Sequence, residues 1–205
     1  MSSTPATIFV VDDDTSVRRS LARLLKSDGY QVEMFPSAVE FLASGRHNQS
    51  PACLVLDLSM PGLTGMDLQE RLRELQSPLA IVFITGHGDI PTSVRAMKGG
   101  AVDFLPKPFQ DTQLLDAVAR AIERTRQDQK ALAELTTIRE CFATLTLRER
   151  EVMAQIVTGK LNKQVADALG TVEKTIKVHR ARVFEKMQVQ SLAELVPLAE
   201  KLGLL

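Results

Sequence analysis

An α/β fold is predicted for this 205-residue chain. It comprises a five-stranded, doubly wound parallel sheet, a long linker helix, and an all-α domain of four helices built around a helix-turn-helix. Three observations predict it. Over the first ~120 residues, short apolar runs alternate with stretches of helical spacing. From Phe109 to Thr158 there is neither Gly nor Pro. After that interval every apolar pattern has helical period and none reads as a strand.

The first strand covers 7–11 and runs into Asp12-Asp13-Asp14. A helix over 15–27 puts Val17, Leu21, Leu24 and Leu25 on one face, and Gly29 follows its end. The second strand is 31–35, and Ser37 caps a short helix ending near Ser44-Gly45. The third strand, 52–57, ends in Asp57. Thr64 precedes a helix with Met66, Leu68, Leu72 and Leu75 as its apolar positions. Strand 80–84, helix 91–98 and strand 101–105 complete the alternation, and Asp111 caps a fifth helix. The stripe Leu114, Leu115, Val118, Ala121, Ile122, Thr125, Leu132, Leu135, Ile138 carries that helix on to about Glu140, roughly 45 Å at 1.5 Å per residue. A polar gap at Arg126–Lys130 leaves two shorter helices with a joint as the alternative. Thr146-Leu147-Arg148-Glu149 is a capping box opening the next helix, which Gly159 closes. Asn162 caps a short helix ended by Gly170. A basic helix begins near Glu173, with Thr171 as its cap or a start shifted by one residue. A last helix spans about 191–202, with Pro197 tolerated or kinking it. The expected domains are 1–122, a linker 123–143, and 144–205.

Charge is unevenly spread. Residues 1–125 hold 12 Lys+Arg against 15 Asp+Glu, and residues 144–205 hold 10 against 7. An acidic front and a basic tail suit a regulatory module joined to a nucleic-acid binder. The two cysteines, Cys53 and Cys141, read as unpaired thiols in a reducing compartment. No run approaches the ~18 apolar residues of a membrane span. The N-terminus lacks a charged region followed by an apolar one. A cytoplasmic protein is expected.

The strand ends carry the chemistry. Carboxylates at the end of a buried strand repel one another and are penalised by burial, so such a cluster needs a cation. Asp12 and Asp13, Asp57, Thr85 and Lys107 all fall at C-terminal strand ends, where an open parallel sheet forms its binding crevice. Two or three acids, a hydroxyl and an ammonium suit a divalent metal and a phosphoryl group. Asp57 is the expected nucleophile, forming an acyl phosphate. Asp12 and Asp13 are expected to hold Mg²⁺, Lys107 and Thr85 to meet phosphoryl oxygens, and Asp14 to start the helix.

Val10-Val11-Asp12-Asp13, Leu56-Asp57 through Gly65, Ile84-Thr85-Gly86-His87 and Lys107-Pro108-Phe109 resemble the motifs of bacterial response-regulator receiver domains, whose sheet is flavodoxin-like. The resemblance implies that a histidine kinase phosphorylates Asp57. It implies direct Mg²⁺ ligation by Asp13, Asp57 and the Ser59 backbone carbonyl, with Asp12 acting through water. It further implies a Thr85–Phe104 switch pair, a cis bond before Pro108, and lifetime-tuning positions at Ser59 and His87.

The window Lys160–Met187 holds seven basic and three acidic residues. Its basic helix suits the major groove. Lys177 with Arg180 or Arg182 can meet guanine edges or phosphate, and Val178 a thymine methyl. Asn162, Lys163, Thr175 and Lys186 are candidates for phosphate positioning. The stretches Leu145–Val152, Gly159–Ala166 and Lys174–His179 resemble the LuxR/NarL-type helix-turn-helix. That resemblance makes residues on Lys174–Lys186, including Lys174 and His179, the DNA readers. Thr171-Val172 departs from the family's apolar-Ser pair.

With both parts, the chain is similar to FixJ-type response regulators, and within them to regulators of aromatic-hydrocarbon catabolism. A non-enzymatic transcription regulator follows. Its expected partners are a sensor histidine kinase, pseudo-palindromic double-stranded DNA, a second copy on phosphorylation, and RNA polymerase. A Mg²⁺-dependent phosphatase is the rival, but it needs an acid two residues after its nucleophile, where this chain has Ser59. A receiver without phosphorylation is the second rival, and the intact Asp12, Asp13, Asp57, Thr85 and Lys107 argue against it.

Overall fold

The computed structural model describes residues 6–86 and 89–205. The chain forms two compact units, Met1–Gln129 and Lys130–Leu205.

In the first unit the elements alternate: β1 Thr7–Val11, α1 Thr15–Ser27, β2 Gln31–Phe35, α2 Ala38–Ala43, β3 Ala52–Asp57, α3 Gly65–Glu74, β4 Ala80–Thr85, α4 Ile90–Lys98, β5 Asp103–Pro106 and α5 from Asp111. The strands form one sheet in the order β2-β1-β3-β4-β5. All four pairings are parallel. Strands β1, β3 and β4 are buried along their whole length, as expected for a sheet covered on both faces. Successive side chains alternate between two cores. Ile8, Val10, Cys53, Val55, Val82 and Ile84 pack with Leu21, Leu25, Leu114 and Val118 of α1 and α5. Phe9, Val11, Leu54, Leu56, Ile81 and Phe83 pack with Phe41, Leu68 and Leu72 of α2 and α3. Each such side chain, fully buried, contributes about 1.5–3 kcal/mol.

The second unit holds α6 Leu147–Ile156, α7 Asn162–Ala168, α8 Glu173–Lys186 and α9 Leu192–Lys201. Ile138, Val152, Met153, Ile156, Val165, Ile176, Val183 and Leu195 form its core. Helix α5, Asp111–Ala143, is one helix of 33 residues, about 50 Å long, so the polar gap does not break it.

Most predicted caps are in place. Asp14 accepts from the Ser16 and Val17 amides, and Ser37 caps α2. Thr64 and Thr146 form capping boxes with Asp67 and Glu149. Four details differ from the expectation. Strand β5 starts at Asp103 rather than 101, because Gly100, at φ +96°, and the following two residues carry the turn out of α4. Asp111 lies in the first turn of α5, and the Gln113 side chain accepts from the Gln110 amide ahead of it. Asn162 is the first residue of α7 rather than its cap; Leu161 precedes it, and the Gln164 side chain accepts the Leu161 amide. Val172, not Thr171, occupies the N-cap position of α8, with no side-chain bond. Pro197 is accommodated inside α9. Among the described residues no helix is long and apolar enough to cross a membrane.

Candidate functional site

The register of the sheet assembles the pocket. Val11 stands opposite Leu56 and Asp57 opposite Ile84, while Thr85 pairs with Pro106. The residues that follow β1 and β5 therefore meet Asp57 at one edge. Asp12 and Asp57 are 1% and 5% exposed, and Thr85 is fully buried. The Lys107 ammonium bridges them, 2.9 Å from Asp12 Oδ2 and 2.7 Å from Asp57 Oδ1. Each carboxylate also accepts one amide: Asp12 Oδ1 from Asp14 at 2.8 Å, and Asp57 Oδ2 from Ser59 at 2.8 Å. Asp13 is exposed. The peptide bond Lys107–Pro108 is cis. The Lys107 amide donates to the Thr85 carbonyl, fixing the root of the lysine beside β4.

Burial pushes the Asp57 carboxyl above its ordinary pKa; the Lys107 bond and the Ser59 amide pull it back without reversing the direction. Burial pulls Lys107 down, but its bonds to Asp57 and Asp12 outweigh this and leave it raised. The pocket is thus an anionic, partly desolvated site with the Lys107 ammonium between its two buried acids.

Two further residues shape the pocket. Arg18 on α1 donates to the Asp12 carbonyl at 2.5 Å and to the Thr15 hydroxyl at 2.9 Å, clamping the acidic turn. Gly65 opens α3 against the end of β3, where a Cβ would lie 2.4 Å from the Asp57 carbonyl oxygen. Only glycine lets α3 approach so closely. The spacing of Arg18 four residues after Asp14 was visible, but its target was not.

Phe104 is half-buried on β5, with its ring centroid 6.2 Å from that of Phe83. Phe83 is its partner in register, two residues before Thr85. His87 lies outside the described residues.

Helices α7 and α8 form the predicted helix-turn-helix, with Gly170 at φ +63° in the turn. Ile176 and Val183 face the core, while Lys163, Lys174, Lys177, Val178 and Arg182 are exposed. Lys177 pairs with Glu173 at 3.1 Å on that surface. Thr175 and His179 are half-buried, and the His179 Nδ1 atom is buried without a hydrogen-bond partner among the described residues. Arg180 is turned away from reading: it donates to Asn162 Oδ1 at 3.2 Å and lies over the Phe184 ring. Lys186 is likewise committed, 2.6 Å from the buried Glu149 and bonded to the Thr144 carbonyl. Both cations hold the fold where a phosphate contact had been expected of Lys186.

Residues 8–119 match the response regulator receiver domain, and residues 143–199 match the bacterial regulatory proteins of the luxR family. The chain is 43% identical over 203 residues to the transcriptional regulatory protein FixJ of Bradyrhizobium diazoefficiens, covering 99% of this chain and 98% of that one. It belongs to the FixJ-type response regulators. This response regulator is also 50% identical over 203 residues to nodulation protein W of the same species, covering 99% of the chain and 89% of the relative. The solved structure of the response regulator StyR superposes with a TM-score of 0.85 at 46% identity, over 97% of this chain and all of that one. The response regulator therefore combines a receiver with a LuxR-type DNA-binding domain, as transcriptional regulators of two-component systems do. Receiver domains imply a histidine kinase partner and generally bind Mg²⁺ at the acidic pocket. The donors here fit such an ion, being hard oxygens on desolvated carboxylates with a single ammonium between them. Among the described residues no group of three or more His, Cys, Asp or Glu side chains is placed to hold a metal ion.

Proposed function

We propose that Asp57 accepts a phosphoryl group from a histidine kinase and that this modification controls binding of the chain to promoter DNA. The observation that carries the reading is the Lys107 ammonium bonded to both Asp12 and Asp57 at the C-terminal edge of the sheet. In the transfer, a carboxylate oxygen of Asp57 forms a bond to phosphorus as the P–N bond of a phosphohistidine breaks. The product is an acyl phosphate, and the imidazole leaves. Lys107 then has a phosphoryl oxygen to neutralise, and Thr85 is the hydroxyl nearest in register. Asp13, Asp57 and the Ser59 carbonyl are the proposed direct holders of Mg²⁺, with Asp12 acting through water. When bound, the metal offsets the charge of the acids and of the transferring group. Ser59 and His87 are proposed to tune the lifetime of the phosphoryl group, and Phe104 to follow Thr85 as its switch partner. Ser59, standing two residues after Asp57, supplies no second acid for turnover, so the site is a switch rather than an enzyme centre.

The proposed division is receiver 1–122, linker 123–143 and DNA-binding domain 144–205. Helix α4 presents Ile90, Val94 and Met97 to solvent, and this apolar strip, with β5, is the proposed dimer face on phosphorylation. Two copies would read a pseudo-palindromic duplex with higher effective affinity than one. Lys174, Lys177, Val178 and Arg182 are the proposed base and groove contacts, with Thr175 and His179 at their edge and Asn162 and Lys163 toward phosphate. RNA polymerase is the proposed further partner, and the cytoplasm the proposed location.

Intact-mass measurement after incubation with acetyl phosphate tests the reading. One phosphoryl adduct is expected, dependent on Mg²⁺ and absent in Asp57→Asn. A full adduct on Asp57→Asn overturns it.

A further inference from the structure

Helices α3 and α4 and the loop after β3 line a cleft of about 1020 Å³. Its floor is apolar. Leu58 and Met60 are 8% and 6% exposed, and Met66 is half-buried. Two of these three are methionines, whose unbranched thioethers adapt to the shape of what lies on them. Among the described residues no aromatic side chain lines the cleft. The buried Gln69 also lines it, and its Nε2 donates to the Ala96 carbonyl at 2.9 Å, tying α3 to α4.

Five charged side chains line the same cleft, all of them exposed. Three are already engaged. The Asp67 carboxylate accepts the Thr64 amide at 3.0 Å and the Thr64 hydroxyl at 2.5 Å, and Glu70 pairs with Arg73 on the same helix. Arg95 and Lys98, three residues apart in the last turn of α4, form no hydrogen bond or ion pair with any described residue. The Asp67 and Asp89 carboxyls lie below their ordinary values chiefly through their bonds to Thr64 and Thr92, and Arg95 adds only a weaker charge effect to each. The cleft thus sets two uncommitted cations beside a desolvated apolar floor. Small-molecule sites combine these parts, apolar walls with a few polar groups that fix orientation. A guanidinium and an ammonium both recognise carboxylate oxygens. A small polar anion gains nothing from the floor, and exposed cations alone hold it weakly in salt. A neutral hydrocarbon leaves the cations unused.

We propose that this cleft is a binding site for an amphipathic carboxylate, whose flexible aliphatic body rests on Leu58, Met60 and Met66 and whose head group meets Arg95 and Lys98. The site does not rest on the phosphorylation reading given above, in which none of these five residues takes part.

Decanoate is the probe, and the sample is the full-length protein with isotope-labelled methionine methyl groups, followed by NMR. Titration should shift the Met60 and Met66 resonances saturably, with a dissociation constant below about 1 mM, as expected for a ligand of this size in a formed pocket. The resonances of Met34, Met153 and Met187 should stay in place. Replacing both cations, Arg95→Gln with Lys98→Gln, should weaken binding by about three- to twentyfold, the worth of two exposed charge contacts. Circular dichroism should not change, because both side chains are exposed. Decyltrimethylammonium, the same kind of body with a cationic head, should bind more weakly than decanoate, and acetate, the head group alone, should shift neither resonance. Absence of a saturable shift with decanoate, or equal shifts at every methionine, overturns the site. A double variant that binds as tightly as the parent, or a cationic amphiphile that binds as well as decanoate, overturns the assignment of the head group. Shifts of Met60 and Met66 with acetate overturn the role of the floor.

Discussion

Removing the charge of Glu149 should destabilise the DNA-binding unit at neutral pH and leave it nearly unaffected in acid. Glu149 is 2% exposed and receives the Lys186 ammonium at 2.6 Å together with the Thr146 amide. The Lys186 bond, then the amide, hold its carboxyl down at about 2, against an ordinary value of 4.5. A carboxyl with a depressed folded-state pKa adds stability that is complete above 4.5 and is lost as pH falls toward 2. At about 1.4 kcal/mol per pH unit the upper limit is about 3 kcal/mol, and solvent screening of the partly exposed Lys186 brings the expectation to about 2–3 kcal/mol. Glu149→Gln is the suitable change, because glutamine can still accept the Thr146 amide in the capping box. For a domain of this size the loss corresponds to a fall in melting temperature of roughly 10–20 °C. The assay is urea unfolding at pH 7, 4 and 2.5, with hydrogen exchange of α6 and α8 peptides identifying the unit that responds. Lys186→Met, which leaves a buried carboxylate without its cation, should lose at least as much at pH 7, and the double variant should recover part of it. The reasoning is refuted if Glu149→Gln and the parent unfold together at pH 7, or if their difference persists undiminished at pH 2.5.

Three other outcomes are expected. Gly65→Ala should shift the end of β3, since the added methyl would sit 2.4 Å from the Asp57 carbonyl oxygen; acetyl phosphate labelling should slow strongly while circular dichroism keeps the α/β signature. Lys177→Ala should weaken binding to a duplex selected from a random pool by about 1–3 kcal/mol if it reads a base. A uniform loss on all duplexes, with the salt slope reduced by about one, would make it a phosphate contact instead. Replacing Ala131 and Ala133 in α5 by glycine should cost roughly 2 kcal/mol of helix stability. Those replacements should lower the gain in DNA affinity produced by acetyl phosphate; an unchanged gain, with helix loss seen by circular dichroism, would mean the linker only tethers.

The acidic pocket was legible because parallel strands deliver their C-terminal neighbours to one edge whatever the connecting helices do. Asp57 and Lys107 are 50 residues apart, yet both are marked by the apolar run before them. Helix α8 was legible as a basic segment of helical period. What escaped depended on contacts with no local signature. Glu149 reads as half of a capping box, and nothing near it points to Lys186, 37 residues on. On α3 the stripe included Leu75, which is 51% exposed, and passed over Gln69, which is buried. Period alone assigns a polar residue to solvent, and only the carbonyl of another helix reverses that assignment. Asn162 has the composition of a cap, but its side-chain oxygen faces Arg180 instead.

Helix α8 divides its duties by residue. Ile176 and Val183 build the core, Arg180 and Lys186 are tied to neighbouring elements, and Lys174, Lys177, Val178 and Arg182 do neither. Substitution at the last four carries little penalty for folding, so the contacts proposed for them can change without passing through an unfolded ancestor. On the proposed assignment of the base and groove contacts, regulators that share this scaffold can acquire different promoters by changing a handful of exposed positions. The same separation makes those positions the place to test redirection of the protein to a chosen duplex, leaving the acidic pocket of the first unit intact.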